Sequence, residues 1–362
     1  MDSLISPQMS QLISSSEGKS FLKKIGLDAV RNVVLDVLLG VNLRHSTEML
    51  TRRRIGLLNI ELVRMFVEGS IRIDDFINNL PKMSSELLKK RRLKKTERAV
   101  ALWVLGLTDK AFQNVLRDDA ELIDWYCREY SRTCKLIAAD ASKNYGDLFG
   151  NINIGSETVA RIDWLMLTYL LNTVGSQTLA TRGSDKSAYG KLFEKIILGS
   201  LLEILGFSRI SKPSEKNPLT SRDMVFWLSS AEGKRESDAT LLYKIGKGIR
   251  FDIGFIGRGN PEISLDKVSR FERKYEFSET EYYMATIIIV DRIGEKSKIT
   301  ELASDINGHI VQMSASYWPK TVAEILAEVL EDYDHELIHM DTGSIKHYLK
   351  DNLMTINIES FI

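Results

Sequence analysis

Asp238 and Asp252 are the residues in this chain whose type and spacing most directly suggest chemistry, because a hairpin over residues 236–254 would set them face to face. With Lys244, Ile245 and Gly246 as a three-residue loop, and Gly246 in the left-handed position such loops need, Tyr243 pairs with Lys247. Counting outward pairs Leu242 with Gly248, Leu241 with Ile249, Thr240 with Arg250, Ala239 with Phe251 and Asp238 with Asp252. Alternation then gives an apolar face of Ala239, Leu241, Tyr243, Ile249, Phe251, Ile253 and Phe255, and a polar face of Glu236, Asp238, Thr240, Arg250 and Asp252. A two-residue Gly246-Lys247 turn would instead send the two aspartates to opposite faces.

Carboxylates opposed at roughly 5 Å between Cβ atoms destabilise a sheet unless something neutralises them. A divalent cation does so, and Mg²⁺ takes carboxylate oxygens while keeping waters, one of which it can activate for attack at phosphorus. The ordinary alternative is the polar face of a half-buried hairpin.

The elements that must position this pair follow from periodicity. Up to about Leu205 the chain reads as consecutive helices with no clear strand: Ile25 to Val41, Ile55 to Val67, Ser84 to Leu105, Ala120 to Ala139 and Ile162 to Leu171. Gly183 to Tyr189 reads as a connection ahead of an amphipathic helix from Gly190 to Gly206, whose start either Ser184 and Asp185 cap or Lys186 and Lys191 offer to a phosphate. Beyond Gly206 come a short strand near Phe207 to Ile210, a polar loop with Pro213 and Pro218, and the hairpin. A helix over Ser264 to Tyr275, a buried strand at Met284 to Asp291, a helix over Lys298 to Ile306 and a strand at His309 to Met313 follow. Helices over Val322 to Leu330 and Gly343 to Leu353 close the chain. This order is an α/β fold with a mixed central sheet preceded by an all-α region, divided as residues 1–180 and 181–362.

The chain has 362 residues, 44% of them hydrophobic, which suits a globular protein of two domains. Its net charge of zero leaves nucleic-acid affinity to local patches, of which two stand out: Arg52 to Arg54, and Lys89, Lys90, Arg91, Arg92, Lys94 and Lys95. Either cluster can grip phosphates or simply solvate a helix face. Cys127 and Cys134, two helical turns apart, read as reduced core thiols, and no leader or membrane-spanning run is evident, so a cytoplasmic protein is expected. His335 and His339 share a helix face without further zinc ligands, and no phosphate-binding loop ending in Lys-Ser or Lys-Thr occurs.

The helix, the hairpin with opposed acids, and the helix leading to a buried strand together resemble the nuclease core of the PD-(D/E)XK superfamily over about Ala188 to Met313. Ser237-Asp238-Ala239 resembles its first element, with serine in place of proline, and Asp252 its second acid. The resemblance implies Asp238 and Asp252 as Mg²⁺ ligands, with Glu236 or Glu194 assisting. The lysine expected two residues after the second acid is Gly254 here, so Lys267, or less directly Lys244, would supply the charge that supports the attacking water. Lys267 reads equally as an exposed helix lysine.

FDIGFIGRGNPEISLDKVSRFE, behind its helical N-terminal region, is most similar to a bacterial type II restriction endonuclease of the CfrBI type. That resemblance implies a homodimer cutting double-stranded DNA at a short palindrome to leave a 5′-phosphate. Arg258, Asn260, Arg270 and Arg273 are then expected to read bases, although residues 257–261 also suit a tight connection. Two other readings stay open: a noncatalytic DNA-binding or assembly protein on a nuclease-like core, suggested by Gly254, and a structure-selective nuclease acting on branched DNA.

Overall fold

The computed structural model describes residues 2–14, 26–90, 92–117, 119–155, 158–212, 223–229, 237–244, 247–255, 283–292 and 308–362. In chain order its helices are α1 (Pro7–Ser14), α2 (Leu27–Leu38), α3 (Leu43–Arg72), α4 (Phe76–Leu88), α5 (Lys95–Val104), α6 (Asp109–Val115), α7 (Ala120–Tyr145) and α8 (Trp164–Ile204). After the main sheet follow α9 (Trp318–Leu330), α10 (Glu336–His339) and α11 (Thr342–Thr355). Two compact units result, one from Met1–Glu17 and Met49–Ser187, the other from Gly18–Glu48 and Ala188–Ile362, so the units are not consecutive halves of the chain.

Among its described residues the first unit is helical apart from one antiparallel hairpin, β1 (Gly150–Ile154) with β2 (Thr158–Ile162), which the expected run of helices did not include. Its core gathers Leu62, Phe66, Phe76, Val104, Met166 and Tyr169, and a second cluster forms around Leu102, Phe112 and Ile123. Cys127 and Cys134 are free and buried, as their positions suggested, and burial pushes both thiols up.

Two helix readings need correction. The expected connection at Gly183 to Tyr189 is absent, since α8 runs unbroken through it. Gly183 and Gly190, on either side of this stretch, cost the helix on the order of 1 kcal/mol each. Burying Asp185 against Arg54 offsets this, for Asp185 is 1% exposed and pairs with the Arg54 guanidinium, which also donates to Leu12 O at 2.8 and 3.0 Å. Asp185 and Ser184 are therefore interior helix residues and not caps, with Ser184 Oγ donating to Thr181 O. Conversely, the single helix expected over Ser84 to Leu105 is two helices, because α4 ends at Leu88 and α5 begins at Lys95. The dense positive charge between them favours an exposed turn over a repulsive helix face.

The second unit is built on a mixed six-stranded sheet in the order β3-β4-β5-β6-β7-β8. Its strands are β3 (Ser208–Arg209), β4 (Val225–Leu228), β5 (Ala239–Lys244), β6 (Lys247–Gly254), β7 (Tyr283–Val290) and β8 (Gly308–Gln312). The β4-β5 and β5-β6 pairs are antiparallel, while β3-β4, β6-β7 and β7-β8 are parallel. Antiparallel pairing in the hairpin followed by parallel strands is the expected mixed sheet; β4, which falls where only a loop was read, is the addition. β7 is Ile- and Val-rich and buried on both faces, with Ile287, Ile288 and Ile289 at most 1% exposed.

α2 packs within this unit: Trp318 of α9, fully buried, donates its indole N–H to Val37 O at 2.7 Å. The C-terminal part of α8 meets the chain's end, and the closeness of that contact decides the sign of a substitution. A Cβ on Gly199 would stand 2.6 Å from the Phe361 ring, which is 2% exposed. Helix propensity alone favours alanine by about 1 kcal/mol, but overpacking a closed core costs about 1–3 kcal/mol. Gly199→Ala is expected to lower the melting temperature by several degrees, and Phe361→Leu in the same chain to recover part of the loss, as read by thermal unfolding.

Candidate active site

The two aspartates owe their placement to the pairing of β5 with β6. Ala239 pairs with Phe251, Thr240 with Arg250, Leu241 with Ile249 and Leu242 with Gly248, as expected from the sequence. Closer to the turn the expectation fails, because Lys244, and not Tyr243, pairs with Lys247, and the register shifts between Leu242 and Lys244. Tyr243 is the extra residue of a bulge, a device that re-aims a side chain while leaving the register beyond it intact. Its ring lies 6.1 Å from that of Tyr333 in an edge contact. Residues 245–246 lie outside the described residues.

Asp238 lies immediately before β5 and Asp252 one position beyond the Ala239/Phe251 pair on β6, so both sit at the same end of the hairpin. The Ile253 N–H donates to Asp238 Oδ2 at 2.9 Å, pinning this carboxylate to β6 beside Asp252. Ser229 N–H donates to Asp238 O at 3.0 Å, which holds the backbone on its other side against β4. Asp238 is half-buried, while Asp252 is only 5% exposed.

Across β6, Asp252 pairs with Ile288 and Arg250 with Thr286, so these side chains share one face of the sheet. Arg250 therefore brings positive charge to the face that carries the acids. The opposite face is the apolar one, with Ala239, Leu241, Ile249, Phe251 and Ile253 fully buried. Carboxylate oxygens in this setting match the hard donors Mg²⁺ prefers. Among the described residues no three His, Cys, Asp or Glu side chains converge on one point, so Glu194, half-buried on α8, does not complete a preformed three-carboxylate cluster with Asp238 and Asp252.

Glu236, Lys267, Arg258, Asn260, Arg270, Arg273 and Arg91 lie outside the described residues. So do the expected helices over 264–275 and 298–306. Lys244 is not the missing lysine of this site. It bonds Asp332 at 2.9 Å at the turn end of the hairpin, where this bond raises its pKa, and five residues of strand, about 17 Å, separate that row from Asp252.

The basic cluster between α4 and α5 is exposed at Lys90, Arg92, Lys94 and Lys95. Lys89 instead grips Asp124 through both carboxylate oxygens, at 2.7 and 2.9 Å, and this bond pulls Asp124 below the usual carboxylate range. In the other cluster Arg54 serves the buried pair with Asp185, so of these arginines Arg52 and Arg53 are the exposed ones.

His335 and His339 have separate structural tasks. His335 caps α10, its Nδ1 accepting the Leu337 N–H, and burial lowers its pKa; His339 lies 2.7 Å from Asp334. A carboxylate the sequence reading passed over is Asp291, 7% exposed at the end of β7. Burial pushes its pKa up, while Arg44, a bond from the Asn42 amide and Arg292 act against that shift. Asn42 Oδ1 also accepts the Arg44 N–H, so Asp291 fastens the start of α3 to this strand. The signal lay in its position, an acid ending a run of β-branched residues.

A mixed six-stranded sheet behind a largely helical N-terminal region is the architecture of the restriction-endonuclease-like class. The family model for the CfrBI restriction endonuclease matches residues 27–298. The type II restriction enzyme CfrBI of Citrobacter freundii is 39% identical over 341 residues, covering 94% of this chain and 93% of that protein. The chain belongs to the CfrBI restriction endonuclease family, whose members are DNA-cleaving enzymes. No solved structure matches it significantly.

The bond from Ile253 gives Asp238 a structural duty separable from any chemistry. Asp238→Asn keeps an acceptor for that N–H, whereas Asp238→Ala leaves it without this partner, at a cost of about 1–3 kcal/mol. Urea unfolding is expected to rank the alanine variant clearly below the asparagine variant, with the asparagine variant close to wild type.

Proposed function

We propose that the protein is a Mg²⁺-dependent homodimeric endonuclease that hydrolyses double-stranded DNA at a short palindromic site. What supports this reading is the placement of Asp238 and Asp252 at one end of the β5-β6 hairpin, with the Ile253 N–H bonded to the Asp238 carboxylate, within a chain of this family. A Mg²⁺ ion held by these two carboxylates would offset their repulsion, draw charge from the scissile phosphate and make a bound water more acidic. Asp238 and Asp252 orient and hold. Glu236 or Glu194 takes part in positioning water, and Lys267 supplies the cation that Gly254 does not. Water adds to phosphorus, the 3′ oxygen leaves with a proton, and the products are a 5′-phosphate and a 3′-hydroxyl.

Residues 1–180 grip the duplex and support dimerisation, while 181–362 carry the cutting centre. Within the first region, the exposed Lys90 and Arg92, together with Lys89 and Arg91, contact phosphates. Arg258, Asn260 and Arg270 read base edges, where arginine matches guanine and asparagine matches adenine. Two copies related by a two-fold axis suit a palindrome. No described helix is long and apolar enough to cross a membrane; we assign the protein to the cytoplasm, where its DNA substrate would be met.

One observation favours a second reading. Gly254 stands where the superfamily pattern has lysine, which fits a noncatalytic DNA-binding protein that kept the core and lost the chemistry.

Purified protein incubated with plasmid and phage DNA in Mg²⁺ is expected to give a reproducible set of fragments, abolished by EDTA and reduced at least a hundredfold by Asp252→Ala with duplex binding retained. Binding without cleavage under every divalent ion tried would move the assignment to the noncatalytic protein. Preferential cutting of branched DNA would move it to a structure-selective nuclease.

A further inference from the structure

Helix α7 carries an outward stripe that its own unit does not cover. Its inner face is used, with Ile123, Cys127 and Cys134 buried. On the outer face Leu122, Trp125 and Leu136 are 41%, 52% and 56% exposed, and Ile137 flanks them. Leu122, Trp125, Glu129, Arg132, Leu136 and Ala139 follow one another at alternating steps of three and four, the spacing of a helix-packing seam. The stripe is thus apolar, then charged, then apolar.

Its order is self-complementary. Turned end for end about the point midway between Glu129 and Arg132, Leu122 falls opposite Ala139, Trp125 opposite Leu136, and Glu129 opposite Arg132. A two-fold axis demands this property of an interface, because each residue must meet its complement on an identical surface. In one chain Arg132 Nη2 donates to Glu129 Oε2 at 2.9 Å, with the two side chains 70% and 42% exposed. An exposed pair of this kind adds little to the stability of a single chain, so folding alone does not account for opposite charges centred in an apolar stripe.

We propose that α7 is the seam of the homodimer. A second copy packs its α7 antiparallel on the first, Trp125 against the partner's Leu136 and Glu129 against the partner's Arg132. The interface rests on the homodimer reading above and adds its location and register. Large aromatic anchors with a charged pair that fixes register are what such a seam requires.

The test uses full-length protein and two sets of variants. Trp125→Cys combined with Leu136→Cys is expected to give a dimer on oxidation, reversed by reductant. Either variant alone is expected to give none, because antiparallel packing holds like positions about 16 Å apart along the helix, beyond disulfide reach. The buried native Cys127 and Cys134 are common to every variant and serve as the background control. In sedimentation velocity, Glu129→Arg or Arg132→Glu should weaken the dimer at least tenfold, and the two together should restore it.

A wild-type dimer that the double cysteine variant does not crosslink, with charge reversals that leave the association unchanged, would overturn the α7 seam and leave the homodimer intact. A wild-type protein monomeric at all concentrations, with and without DNA, would overturn both.

Discussion

The register of β5 against β6 decides which residues of the second unit are core and which lie on its polar face. A one-residue slip of β6 would carry Asp252 into the apolar core and Phe251 and Ile253 out of it. Five fully buried apolar side chains on one face make that exchange prohibitive. The end of the hairpin that carries Asp238 and Asp252 is therefore fixed by residues on the other side of the sheet.

Supports for this register come from both ends. Near the turn, the bulge at Tyr243 absorbs one residue, while Lys244 and Lys247 are tied to Asp332 and Glu331 just beyond α9. At the acidic end, Ile253 N–H holds Asp238. The parallel pairing of β6 with β7 and of β7 with β8 then builds the sheet around a strand buried on both faces, and α2 and α9 close over it through Trp318.

Much of this was legible because burial writes itself into alternation. The hairpin faces and the run MATIIIV gave the central strands and their order, and residues such as Ile249 and Phe251 could only be core. The turn was less legible: a three-residue loop and a shorter connection with a bulge produce the same pairs from Leu242 outward, and only coordinates distinguish them. β4 escaped because VFWL is too short to show a period, and β1-β2 because its weak alternation lies between two strong helices. The continuity of α8 through Gly183 and Gly190 depends on Arg54, a residue far away in sequence, which no local pattern can announce. For the same reason Asp291, whose meaning lies in Asn42 and Arg44, was read only as the end of a strand.

We propose that Asp238 and Asp252 together hold a divalent cation. The most direct test is the titration of Mn²⁺, a paramagnetic stand-in for Mg²⁺, into the wild-type protein and into Asp238→Asn and Asp252→Asn, followed by water-proton relaxation in the presence of DNA. Tight binding in the wild type that falls at least tenfold in each folded variant is the result predicted. Unchanged Mn²⁺ binding in both variants, with their folds intact by circular dichroism, would contradict it and place the metal elsewhere.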